Sequence, residues 1–127
     1  MTYTFSKTLD MDFDQAIERV TEELKKEGFG VLTEIDVQAT LKKKINVDFR
    51  KYRILGACNP GFAHKALEAE PEIGTMLPCN VIVQEADSGV RVSAIDPMAS
   101  MQAVENPDLG AIATQVQDKL RSVIDKL

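Results

Sequence analysis

The chain has 127 residues, a length suited to one domain able to bury about two-thirds of its unfolded surface. Apolar residues make up 44% and charged residues 28%, which is globular composition and excludes a disordered or fibrous chain. Fifteen Lys and Arg against twenty Asp and Glu give a net charge of −5, which works against attraction to phosphate backbones, so no nucleic-acid partner is expected.

No apolar run approaches the roughly 18 residues of a membrane span, and Met1-Thr-Tyr-Thr lacks the basic and apolar regions of a signal peptide. A cytoplasmic protein without membrane attachment is therefore expected. Two cysteines are too few for a secreted disulfide framework, so both are read as thiols.

Tyr3 and Phe5 alternate with polar neighbours, which predicts a short strand with one buried face. Asp12, with Gln15 as its capping-box partner, predicts a helix start. Phe13, Ala16, Ile17, Val20 and Leu24 then form one apolar stripe, with Glu18, Arg19, Glu22 and Lys26 opposite. Gly28 closes that helix in the left-handed conformation.

A second strand is expected over Phe29 to Glu34, followed by a shorter helix capped by Asp36 and carrying Val37, Leu41 and Ile45. The basic run Lys42-Lys43-Lys44 reads as its solvated face. Ile54 to Cys58 predicts a third strand, buried on both faces. Asn59-Pro60 is a strong helix start, since asparagine caps and proline suits the first turn. That helix turns Phe62, Ala63, Ala66 and Leu67 inward and stops before Pro71. A loop then runs through Gly74 and Pro78 to Cys79.

Val81 to Val83 and Val90 to Ile95 flank Asp87-Ser88-Gly89, a hairpin signal. Asp96-Pro97 breaks the strand, and 98–104 reads as a helical turn or loop. Asn106-Pro107 opens the longest helical stripe, Leu109, Ile112, Ala113, Val116, Leu120, Val123, Ile124 and Leu127. The order β-α-β-α-β-α-β-β-α, without a glycine-rich phosphate fingerprint, predicts an α+β fold with helices on one face of a mostly antiparallel sheet, and one domain over residues 1–127. A second sheet face with apolar positions needs its own cover, which points to a homodimer.

Candidate chemistry gathers around Cys58 and Cys79. Cys58 precedes a helix start, where backbone amides and the helix dipole favour a thiolate; the alternative is a small residue filling a tight corner. Cys79 approaches it if their strands are neighbours, although a disulfide demands restrictive geometry. His64 and Asp96 complete a nominal set of zinc ligands, but no pair has local metal-ligand spacing and no metal or cofactor is expected. A Cys58–His64 nucleophile–base pair is disfavoured because His64 lies more than a turn inside the helix. Glu34, Asp36, Glu85 and Asp96 lie near strand ends, with nothing in sequence to pair them. The candidate ligand site is therefore Cys58, Asn59, Pro60, His64, Cys79, Asn80 and Asp96, a small pocket for a small, anionic metabolite. The alternative function is a thiol-dependent enzyme or redox protein using Cys58.

The segments GFGVLTEIDVQATLKKK, DFRKYRILGACNPGFAHKALE, IGTMLPCNVIV and VSAIDPMASM resemble the domain of unknown function 302 family of bacteria and archaea, over nearly the whole chain. The Gly-Ala-Cys-Asn-Pro and Leu-Pro-Cys-Asn-Val blocks carry the likeness. The resemblance implies an α+β fold with a TATA-binding-protein-like sheet and homodimerisation. It carries no activity or catalytic residues, and likeness of fold to a DNA binder does not supply DNA binding.

Overall fold

In the computed structural model, which describes residues 2–127, five strands form one sheet in the order β1-β5-β4-β3-β2, every neighbouring pair antiparallel. The strands are β1 (Thr4–Leu9), β2 (Gly30–Asp36), β3 (Tyr52–Cys58), β4 (Cys79–Ala86) and β5 (Gly89–Ile95). The helices are α1 (Phe13–Lys26), α2 (Val37–Ile45), α3 (Pro60–Ala69), α4 (Pro97–Ser100) and α5 (Pro107–Asp125). Where a loop was expected after α3, Pro71–Met76 forms a 3₁₀ helix.

The predicted stripes of α1 and α5 are the ones that fold inward. Val20, Leu24, Leu120 and Val123 are fully buried and pack with Leu55, Val81, Val83 and Val92 from the sheet. Burying a side chain of this size contributes about 2 kcal/mol, so two interlocked stripes are enough to fix which sheet face the helices cover. The end of α5 is held by cations from two other elements. Lys7 Nζ donates to the Leu127 main-chain oxygen at 2.7 Å, and an Arg19 guanidinium nitrogen donates to the Lys126 carbonyl at 2.8 Å. Positive charge at a helix C-terminus opposes its dipole favourably.

Asp87 and Ser88 form the two-residue turn between β4 and β5, with Ala86 opposite Gly89. Gly89 has φ +93, and a side chain there would meet the Leu9 carbonyl oxygen of β1, so this glycine is required twice over. Gly28 has φ +87, as its position at the end of α1 predicts. Asp36 caps α2, accepting from the Ala39 N–H at 2.9 Å.

Several details depart from expectation. Asp12 makes no side-chain cap; its exposed carboxylate stays in solvent and its carbonyl accepts from the Ala16 N–H at 3.0 Å. Tyr3 lies before β1 and is 66% exposed, so the inward face of that strand runs through Phe5 and Leu9 without it. β2 continues past Glu34 to Asp36 because its pairing with β3 does, and a bulge between Val31 and Thr33 throws Leu32 outward. β3 begins at Tyr52, and its outward Ile54 is half-buried. Leu67 is exposed, because α3 lies at the margin of the helix layer and turns only Ala66 fully inward.

The register leaves a second sheet face without helices. Strand alternation places Ser6, Ser93, Ile82, Ile54 and Ile35 in one row across it. A neighbouring row runs Thr8, Arg91, Gln84, Tyr52. Ser6 and Ser93 share a 2.8 Å hydrogen bond in the first row. In these two rows Arg91 is the sole charge.

Candidate functional site

Pairing of Ala57 with Cys79 brings the end of β3 and the start of β4 side by side, and with them the two cysteines. From Cys58 the chain enters α3 through Asn59, with Pro60 in the first helical position. α3 packs against α5, and the 3₁₀ helix returns the chain beneath it to β4. Ala66, Ile73 and Leu109 form a second small core there, separate from the main one. Asn106 fastens this corner: its Nδ2 donates to the Ala69 carbonyl at 2.9 Å, and its Oδ1 caps α5 by accepting from the Asp108 N–H at 3.0 Å.

Between the main core and this small one lies a slot of about 40 Å³. Phe29, Ala57 and Val116 wall it on the main-core side, and Ala66, Leu77 and Leu109 on the other. Cys58, Asn59 and Cys79 stand at its sheet end, and Met101, after α4, also lines it. The lining is hydrocarbon and sulfur apart from Asn59. A void of this size holds a water or two at most, and an apolar one stays dry.

Asn59 does not act as the cap its position predicts. Its side-chain nitrogen donates to the Glu27 carbonyl at 3.3 Å, tying α3 to the end of α1. The first-turn N–H groups of α3 are thereby left without a side-chain acceptor. The two thiols are free. Burial pushes the Cys79 thiol up to about 11, and the proximity of Cys58 adds to the effect, so Cys79 is fully protonated at neutral pH.

Of the seven sequence-predicted residues, the structure brings Cys58, Asn59 and Cys79 together on the slot. Pro60 is exposed on the outer side of the α3 start. His64 lies in solvent 3.3 Å from Glu68, one helical turn on. Asn80 follows Cys79 in β4, so strand alternation turns it onto the helix-free sheet face. Asp96 caps α4, accepting from the Met98 N–H at 3.0 Å and from Gln117 Nε2 at 3.0 Å. Cys58, Asn59 and Cys79 all line the slot, whereas Pro60, His64, Asn80 and Asp96 do not. Among the other carboxylates, Glu34 and Asp36 converge on Arg53, at 2.6 and 3.4 Å, as a structural ion pair across β2 and β3.

The helical side of the slot went unread in the sequence. Leu109, Ile112, Ala113 and Val116 lie in the α5 stripe, but that stripe is longer than the sheet it crosses, and its first two turns face α3 instead. Among the described residues, no three His, Cys, Asp or Glu side chains converge on one point, and no helix is long and apolar enough to cross a membrane.

This geometry defines a class: a single-sheet α+β domain with an apolar, thiol-bearing slot under one end of its helix layer. The chain belongs to the DUF302 family, a domain of unknown function, whose model matches residues 5–127. It is similar to the crystal structure of an uncharacterized conserved DUF302 protein from Bacillus stearothermophilus, at 28% identity and a TM-score of 0.92, over 99% of this chain and 98% of that one. No curated protein matches it.

Proposed function

We propose that the protein is a cytoplasmic, homodimeric small-molecule-binding or sensing module whose ligand enters the slot between the two cores. The observation that carries this reading is the slot itself, an apolar void with a single carboxamide and two thiols at one end. Its chemistry favours a compact, mainly apolar ligand over the anion that the open helix start alone suggests. A space of 40 Å³ is far below the roughly 300 Å³ of an ordinary ligand pocket, so entry requires the wall to move. The wall formed by α3 and the 3₁₀ helix suits that role, because only Ala66, Ile73 and Leu109 are buried beneath it. The protonated Cys79 supports binding over thiol catalysis at that residue.

Dimerisation through the helix-free sheet face is supported by its charge pattern. The chain carries twenty acidic residues, yet the two rows of that face hold none, so two copies meet there without carboxylate repulsion. Branched side chains and hydroxyls with few charges match the core of an interface. Light scattering tests this: a mass twice the 14.0 kDa chain is expected, falling to one chain in Ile82→Asp. A wild-type monomer at micromolar concentration would remove the dimer from the reading.

The binding claim is tested by a thermal-shift panel of small apolar compounds with the reduced protein. A shift that disappears when the slot is filled supports it; no shift across the panel overturns it. The alternative, a thiol enzyme using Cys58, makes a different demand: rapid alkylation of Cys58 at neutral pH. Slow alkylation eliminates that alternative.

A further inference from the structure

We propose that the helix-free sheet face carries a site for a small oxyanion, a phosphate or carboxylate group, held by Arg50, Gln84 and Arg91. The site is separate from the slot, and only its effect on pairing of two copies rests on the sheet-face dimer. Of the five arginines, Arg19, Arg53 and Arg121 stand against carboxylates. Among the described residues Arg50 and Arg91 form no ion pair, although the chain has twenty acidic residues. Both flank one amide side chain: Arg50 Nε donates to Gln84 Oε1 at 3.0 Å, and Arg91 is the direct cross-strand partner of Gln84 on β5. Directly opposed residues share a face, with Cβ atoms about 5 Å apart. Glu85, the next residue of β4, is turned to the other face and accepts from the Lys51 N–H at 2.6 Å.

The cluster is built of donors. Gln84 Oε1 takes the Arg50 bond, which leaves its NH2 to donate. The Arg50 guanidinium lies 4.5 Å from the Phe49 ring centroid and 5.5 Å from that of Tyr52, so stacking and the Gln84 bond hold it in place before a ligand arrives. Its two terminal nitrogens stay free, and the exposed Arg91 adds a second fork. A planar guanidinium matches two oxygens of a carboxylate or phosphate, and two such groups about an amide N–H reject cations and neutral donors. The open depression over Gln84, Arg91, Tyr52 and Ser93 measures about 470 Å³, within the range of ordinary ligand sites. When two copies pair through this face, each brings these guanidiniums and neither row of the face holds a carboxylate, so the anion is the counter-charge that pairing lacks.

The test is a calorimetric titration of the chain with sodium phosphate and, separately, with malonate, at an ionic strength fixed by chloride. Saturable binding is expected, and the tighter of the two anions identifies the headgroup. Arg91→Gln and Arg50→Gln are each expected to weaken it about 10–100-fold, the loss usual for a hydrogen bond to a charged group. Lys43→Gln, the same change of charge on exposed α2, is expected to leave it unchanged. Arg50, Arg91 and Lys43 are all exposed, so none of these variants puts the fold at stake. No saturable binding of either anion overturns the site, and so does wild-type affinity in Arg91→Gln or an equal loss in Lys43→Gln. Sedimentation at the same ionic strength reads the effect on pairing: the dimer is expected to tighten about tenfold in the better-bound anion, and not in Arg91→Gln. A dimer indifferent to the anion overturns that coupling, whereas a chain that binds the anion and stays monomeric removes the dimer reading and leaves the site standing.

Discussion

Replacing Ala63 with methionine separates a void that binds from one that is only imperfect packing. Ala63 lines the slot from α3 and is half-buried, so a longer side chain there reaches inward without displacing a neighbouring strand. Methionine is a good helix former and adapts to irregular gaps, so little is lost in propensity or strain. At about 24 cal/mol per Å³, filling the 40 Å³ void contributes at most about 1 kcal/mol. For a chain of this size that corresponds to a rise of about 3–5 °C in Tm. Differential scanning calorimetry of wild type and Ala63→Met, each with and without the best compound of the panel, gives both quantities. The variant is expected to melt at or above the wild-type temperature and to lose the ligand-induced shift. A fall in Tm of more than about 5 °C would show that no such void accepts the side chain. Retained ligand binding in a stable variant would place the site elsewhere.

Three further outcomes follow from particular residues. Cys79 titrates near 11 in the fold against an ordinary 9.0, so its contribution is fully present below pH 9 and is lost as pH rises through 11. The loss is roughly 2–3 kcal/mol, and urea unfolding from pH 8 to 11 is expected to show a slope that flattens in Cys79→Ala; equal slopes refute it. The carboxyl of Glu23 is held below its ordinary value of 4.5 by its hydrogen bond to Lys26, with smaller attraction from Lys26 and Arg19 charge. Its stabilisation is therefore present above pH 4.5 and lost on acidification through the lowered value, and Glu23→Gln is expected to unfold with less acid dependence in that range. Gly89→Ala combines a φ of +93 with a collision against the Leu9 carbonyl oxygen, and is expected to lower stability by about 2 kcal/mol or more; a smaller loss in chemical denaturation counts against the β1–β5 packing described.

The elements legible in the sequence are those in which one periodicity runs unopposed. The α5 stripe from Leu109 to Ile124, the α1 stripe and the turn at Asp87-Ser88 each answer to a local rule, and each forms where that rule places it. The family likeness was legible as well, from the two Cys-Asn blocks. Residues answering to two demands were harder to read. Asn59 is an ideal cap by position, yet the Glu27 carbonyl, 32 residues away in sequence, takes its side chain. Glu23 sits beside the α1 stripe with Arg19 and Lys26 at helix spacing, a pairing the sequence does show, but its burial depends on how α1 packs and is not local. Asn80 was legible in principle: once β4 is taken to begin at Cys79, the alternation that buries Cys79 must turn Asn80 away. The slot could not be read, since it lies between α3, α5 and two strand ends that only the tertiary fold assembles.

Chemical-shift mapping with the strongest small apolar ligand tests the location of the site most directly. In a titration of the ¹⁵N-labelled, reduced protein, perturbed amides are expected at Ala57, Ala66, Leu109 and Ala113, on both walls of the slot, and to vanish in Ala63→Met. Perturbations confined to Ile82, Ser93 and Arg91 on the helix-free sheet face would contradict the account and move the site to the opposite side of the sheet.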